Sequence, residues 1–173
     1  SGGVQNPLDY AGLVPGTSTF RVVEGYKEGR SLNRTVQPHT SEQLSHIVIT
    51  EGFHTSIFTV DDGSIFRTTQ VSVEHATLST FDPFEPVLLE NIGPGTKVKK
   101  SIAIAVHAVD QPKVVTHSGT LNAVYEVLGT FDVRTPAGTF ASICIRVTYS
   151  GSVGPASVDE ESYVFFSKDV GPV

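Results

Sequence analysis

From Val98 to Val109 the chain alternates. Ile102, Ile104, Val106 and Ala108 fall on one side, and Ser101, Ala103, Ala105 and His107 on the other. A period of two is the mark of a strand with one covered face, because successive side chains of an extended chain point to opposite sides. The pattern recurs in Ser18–Tyr26, where Phe20, Val22, Glu24 and Tyr26 share a side. It recurs again from Ala141 to Ser150, where Ala141, Ile143, Ile145, Val147 and Tyr149 oppose Ser142, Cys144, Arg146, Thr148 and Ser150. The residue types agree: 24 Val, 9 Ile and 18 Thr stand against 9 Leu and 9 Ala. β-Branched side chains are stiff in helices and fit a pleated surface. No window has convincing helical periodicity, although Thr40–Ser45 has room for one turn.

Turn residues divide the chain into about ten strands. Lys27-Glu28-Gly29-Arg30, Asp61-Asp62-Gly63, Asn91-Ile92-Gly93-Pro94-Gly95 and Thr135-Pro136-Ala137-Gly138 are the clearest punctuation. Between them lie Ser31–Gln37, Ser45–Thr50, Phe53–Val60, Ser64–Gln70, an extended stretch Val71–Thr80, Val98–Val109, Leu121–Val133, Phe140–Tyr149 and Ser157–Lys168. Phe81-Asp82-Pro83-Phe84-Glu85-Pro86 reads as a prolyl break, and Gln111-Pro112 as another. Short polar turns between consecutive strands predict an all-β antiparallel meander. Residues 1–16 read as a flexible lead-in and residues 17–173 as a single β domain, within the size of one core.

Charge excludes one large class of function. The net charge is −6 and the pI about 5.4, whereas a nucleic-acid binder carries a basic surplus. The one basic cluster, Lys97, Lys99 and Lys100, reads as solvated. No apolar run approaches the ~20 residues of a membrane-spanning helix. One cysteine, Cys144, excludes an internal disulfide.

Local chemistry is sparse. Ser150-Gly151-Ser152-Val153-Gly154 lacks the glycine two before Ser152 that a nucleophile elbow requires. Gly93-Pro94-Gly95-Thr96-Lys97 lacks the Gly-Lys-Ser/Thr order of a phosphate loop. His39, His46, His54, His75, His107 and His117 contain no pair at i, i+2 or i, i+4. His46 and His54 could meet across a hairpin, and His107 could join Asp110. Of Asp159, Glu160 and Glu161, only the first and third would share a face. Cys144 falls on the polar side of its strand, two residues before Arg146, where a guanidinium can lower a thiol pKa. The competing reading is a half-covered strand residue whose replacement by Ser leaves folding nearly intact. Asn33-Arg34-Thr35 is a glycosylation sequon. None of these is taken as a catalytic, cofactor or metal site.

Two stretches resemble a family. Gly129-Thr130-Phe131-Asp132-Val133-Arg134-Thr135-Pro136-Ala137-Gly138-Thr139-Phe140, and later Ser162-Tyr163-Val164-Phe165-Phe166-Ser167-Lys168-Asp169-Val170-Gly171-Pro172-Val173, resemble bacterial secreted and lipid-anchored envelope proteins of unknown function. Leu13-Val14-Pro15-Gly16 leading to Phe20 echoes their start. Phe20 stands nearest the place of their usual tryptophan, and Asp169 stands where they have glycine. The resemblance implies a curved antiparallel sheet or half-open barrel outside the cytoplasm, and no catalytic residues. Ser1-Gly2-Gly3 would then continue a lipidated cysteine that follows an apolar signal segment; a cloning remnant is the other reading.

The expectation for function is a non-enzymatic envelope or secreted binding or accessory domain, holding an apolar small molecule in a concave sheet or meeting another envelope protein. A structural subunit assembling through edge strands is the alternative, and a hydrolase the second. No cofactor is expected.

Overall fold

A computed structural model describes residues 3–22, 28–41 and 44–173, with the side chains of 39–41 and 44–46 excepted. Ser1, Gly2, Val23–Lys27 and Glu42-Gln43 lie outside it. So do the end of the strand expected at Ser18–Tyr26 and the centre of the turn considered at Thr40–Ser45.

The chain is all-β. Among the described residues, eleven strands follow in sequence order: β1 (Gly16–Arg21), β2 (Ser31–Ser41), β3 (Leu44–Glu51), β4 (His54–Asp61), β5 (Ser64–Ser72), β6 (Thr77–Leu88), β7 (Lys97–Ala108), β8 (Gln111–Thr135), β9 (Gly138–Val153), β10 (Ala156–Ser167) and β11 (Gly171–Pro172). Each pairs antiparallel with the next, so the sheet is one meander that curls into a half-barrel. Register shifts in the β4–β5, β5–β6, β7–β8 and β8–β9 pairs supply the curl. An extra residue on one strand bends it and raises the local twist.

The alternation is realised as two faces. Ile102 and Ile104 of β7, Leu121, Ala123, Tyr125 and Val127 of β8, and Ile143, Ile145 and Val147 of β9 are buried together on the concave side. The Thr135–Gly138 turn forms as its residues require. Thr135 and Gly138 are register partners, and Gly138 has φ 143°, a region open to Gly and strained for other residues.

Three expectations need correction. Val71–Thr80 is not one extended stretch: residues 73–76 turn the chain, with Ala76 at φ 49°. Glu-His-Ala carries no turn signal, so composition hid it. The Phe81–Pro86 segment is not a break. β6 runs through both prolines, but pairs with β7 only as far as Asp82 and meets β5 in shifted register. Proline removes a donor, which a strand tolerates where its ladder is already interrupted. Nor does Gln111-Pro112 end a strand, since β8 starts there.

The lead-in is also corrected, from Val4 onward. Val4 is fully buried and bridges Ile92, Pro7 is buried at the start of a 3-10 turn (Pro7–Asp9), and Ala11 is buried. The segment lies across the seam between the two ends of the sheet. Arg34 of β2 donates to the carbonyls of Ala11 and Gly12. On the other side, the Asp169 amide donates to the Asp9 carbonyl at 2.6 Å, and Lys168 lies 3.6 Å from Asp9. Gly12 has φ 56°, and a Cβ there would stand 2.8 Å from Gly171 Cα, so only glycine fits where lead-in and β11 meet.

If the lead-in belongs to the core, Val4→Ala will cost about 2 kcal/mol, the transfer and cavity terms of two buried methyls. The exposed neighbour change Gln5→Ala will cost nearly nothing. Denaturant unfolding checks both, and equal midpoints for the two variants would return the segment to the status of a tether.

Candidate functional site

The concave face is mostly apolar, and a buried cluster of polar side chains lies on it. Arg67 of β5 and Glu85 of β6 are register partners at the shifted part of their pairing, which puts their side chains opposite one another. They form an ion pair in which Arg67 also donates through Nε; the Glu85 side chain is 4% exposed and that of Arg67 24%. Tyr149 of β9 reaches across the concavity and donates its hydroxyl to the other Glu85 oxygen. Tyr125 lies 3.5 Å from the Tyr149 hydroxyl, its ring edge-on at 6.4 Å. The Arg67 guanidinium also lies over the Phe81 ring, 5.2 Å from its centre. The carboxylate therefore has both oxygens engaged, which a buried charge requires.

Burial, with the Glu85 charge adding to it, drives the Tyr149 pKa far above that of an ordinary tyrosine. Burial raises Tyr125 as well.

Two cavities adjoin this cluster and share Arg67 and Gln70 in their walls. One, about 340 Å³, lies towards the seam, with Leu13, Leu32, Ile49, Phe58, Ile65 and Phe166 among its apolar wall residues and Arg34, Glu51 and His54 among its polar ones. The other, about 230 Å³, lies towards β7–β10, with Phe81, Ile102, Ile104, Leu121 and Val158 beside Glu85, Tyr149 and Glu160. Arg34 is 7% exposed. Burial lowers its pKa from the usual arginine value, and the charge of Glu51 opposes that.

The residues singled out by the sequence lie elsewhere. Cys144 is not on an open polar face: it is 2% exposed beside fully buried Ser142. Phe165 stands opposite Cys144 and Phe131 opposite Ser142, and their rings meet edge-on at 6.1 Å. Small residues on β9 thus lie between large ones on both neighbours. Burial pushes the thiol pKa up, the reverse of activation. A Ser at position 144 would bury a hydroxyl, so the expectation of a nearly neutral replacement falls with the exposure it assumed.

Arg146 serves a ladder on the convex face. Lys97 lies 3.1 Å from Glu126, Glu126 pairs with Arg146, and Arg146 lies 3.8 Å from Glu161. The hydrogen bond from Lys97, then that from Arg146, lowers the Glu126 pKa. Lys97 is thereby paired rather than merely solvated.

Asp159, Glu160 and Glu161 stand opposite Ser150, Tyr149 and Thr148. Glu160 lines the concave side, and Glu161 accepts from Tyr163 at 2.7 Å. Ser152 is exposed on β9, opposite Thr120 and Ser157. The Gly93–Thr96 turn closes through the Thr96 amide on the Gly93 carbonyl at 2.9 Å, and a strand follows it.

The histidines do not assemble. His46 stands opposite Thr59 and His54 opposite Glu51, so the hairpin separates them, while His39 is the register partner of His46. The side chains of His39 and His46 lie outside the described residues. His107 Nδ1 is buried without a hydrogen-bond partner among the described residues. Among the described residues, no three of His, Cys, Asp and Glu come together as a metal set. Asn33 of the sequon is exposed on β2 and accepts from Thr19 at 3.0 Å.

Arg34, Arg67, Glu85, Tyr125 and Tyr149 were not singled out in the sequence. A faint signal exists for two of them. Arg34 interrupts the alternating set Leu32, Arg34, Val36, and Arg67 falls two residues after Ile65, where an apolar side chain would continue the face.

Replacing Glu85 by Ala will leave Arg67 without its partner and cost about 3 kcal/mol, the low end for a broken buried pair. The double change Glu85→Met with Arg67→Met will recover most of that, read as the unfolding midpoint. A second measurement concerns pH. The two tyrosines ionise more easily unfolded, near pH ~10, than folded, so their contribution is complete below ~10 and is lost as pH rises above it. The unfolding free energy will fall steeply there, read by denaturant titration, and Tyr125→Phe will reduce the slope by about 1.4 kcal/mol per pH unit.

Compared with family models, curated proteins and solved structures, the chain matches none.

Proposed function

We propose that this chain is a non-enzymatic binding domain that holds an apolar small molecule on the concave face of its half-barrel. The observation that carries the reading is the pair of cavities, about 340 and 230 Å³, on either side of Arg67 and Gln70. Ligand sites are concave, mostly apolar and furnished with few polar groups, and this concavity has that make-up. A half-barrel curled this widely cannot fill its inner face with its own side chains, and the lead-in covers only part of it. Neither candidate nucleophile supports chemistry: Cys144 is buried with a raised thiol pKa, and Ser152 sits within a strand pair. The likeness of the Pro136-Ala137-Gly138-Thr139-Phe140 turn to envelope proteins supports a position in the bacterial envelope or outside the cell.

Assembly through edge strands is the second reading, and β10 favours it. From Ala156 to Phe165 its register partners are all on β9, while β11 matches only Phe166 and Ser167. An exposed edge can accept a strand. Asp159, Glu160 and Glu161 on that edge oppose it, since charges on edge strands deter pairing.

The test is N-phenyl-1-naphthylamine, a neutral fluorophore that is dim in water and bright in apolar surroundings. The folded protein will brighten it saturably. Gln70→Trp, which fills the wall shared by both cavities, will weaken binding about tenfold or more, equivalent to about 1.4 kcal/mol. Val114→Trp, at a position 53% exposed on β8, will leave it unchanged. Equal effects of the two variants, or no brightening, would remove the reading.

A further inference from the structure

The binding reading leaves the ligand's chemistry open, and the charges of the larger cavity narrow it. Two guanidiniums line it, those of Arg34 and Arg67. Arg67 is answered by Glu85. Arg34 is not answered in the same way: it donates to the Gly12 carbonyl at 3.0 Å and the Ala11 carbonyl at 3.2 Å, both uncharged, and among the described residues no carboxylate lies within ion-pair distance of it. The nearest acidic influence is Glu51, its register partner on β3, which is exposed at the same cavity wall. A chain with a net charge of −6 thus keeps a nearly buried cation, without an ion-pair partner among the described residues, on the wall of a mostly apolar cavity.

Such a charge is costly unless something compensates it. The lead-in carbonyls occupy two of the five N–H donors of the guanidinium, and the planar fork of those that remain suits a carboxylate or phosphate. Next to it the wall is hydrocarbon: Leu32, Ile49, Phe58 and Ile65. A cavity of about 340 Å³ is at the small end of ligand pockets, which suits one alkyl chain rather than two.

We propose that this cavity takes a single-chain amphiphile with an anionic head, its carboxylate or phosphate oxygens on the Arg34 guanidinium and its chain against Ile49, Phe58 and Ile65. Arg34 then has two tasks: it ties the lead-in across the seam, and it selects an acidic head. Glu51 competes with that head for the same cation and weakens its binding.

The proposal rests on the binding reading, and the experiment separates the two. Dodecanoic acid, dodecyl phosphate and dodecanol, all below their micellar concentrations, compete with N-phenyl-1-naphthylamine for the folded protein. The acid or the phosphate will displace the fluorophore at a concentration about tenfold or more below that of the alcohol, as a hydrogen bond to a charged partner implies. The better of the two identifies the head as carboxylate or phosphate. In Arg34→Gln, each read against the alcohol in the same variant, the acid and the phosphate will lose their advantage. Arg34→Lys keeps the charge and loses the fork, and will retain part of the gap. Glu51→Gln, at an exposed position, will widen it. If Arg34→Gln does not fold, the Arg34→Lys and Glu51→Gln gaps decide. An alcohol that competes as well as the acid and the phosphate in the unmodified protein overturns the proposal while leaving the binding reading intact. So does a gap unchanged by removing Arg34 or Glu51. Absence of fluorophore binding overturns both.

Discussion

Arg34 donates to two carbonyls of the lead-in, and through that contact one end of an eleven-stranded sheet is tied to the segment that also bonds the other end. A closed barrel joins its first and last strands by a ladder of backbone hydrogen bonds. Among the described residues this sheet does not. Its seam is spanned by the lead-in, held by Arg34 of β2 at Ala11 and Gly12 on one side and meeting Asp169 and Gly171 on the other. A sheet free to uncurl would expose its concave core, so the burial of Ile65, Ile102 and Phe166 depends on that closure. Only glycine permits the approach of Gly12 to Gly171, which is why the closing contact is backbone on backbone rather than side chain on side chain.

The two faces of the sheet use charge differently. On the convex face, Lys97, Glu126, Arg146 and Glu161 run across four neighbouring strands in alternating sign, a ladder of partly exposed pairs each worth little alone. On the concave face, Arg67, Glu85 and Tyr149 form a cluster in which the carboxylate has both oxygens bonded. The first arrangement follows from strand register and solvent. The second costs desolvation and joins β5, β6 and β9 across the curl. Glu85 lies between Pro83 and Pro86 at the shifted part of the β5–β6 register, so a segment that resembles a break in sequence positions the most buried acidic side chain described.

The architecture was legible because it is local. Alternation in Val98–Val109 and Ala141–Ser150 needs only neighbours in sequence, and the Thr135–Gly138 turn needs only the torsions of its own residues. The errors came where nearby residues carry no signal or a misleading one. Val73–Ala76 turns without Gly, Pro or Asn, and Pro83 and Pro86 sit in a strand because the register around them is already shifted. Val4 was hidden among Gly, Gln and Asn, where one apolar residue cannot announce that it will be fully buried. Cys144 was assigned by period alone, and Phe131 and Phe165, from different strands, cover its side of β9.

Most strands, their antiparallel succession and much of the concave face follow from neighbours along the chain, since hydrophobic period and turn chemistry are properties of adjacent residues. Which polar residues share the interior depends instead on contacts between distant parts of the chain. Arg67 and Glu85, 18 positions apart, meet through the shifted β5–β6 register, whereas Tyr149, 64 positions beyond Glu85, reaches them because the sheet curls. The same holds for Arg34, 22 positions from Gly12. Curl is the sum of small twists and bulges over many strands, and none of them alone reveals where the two ends of the sheet will come to rest.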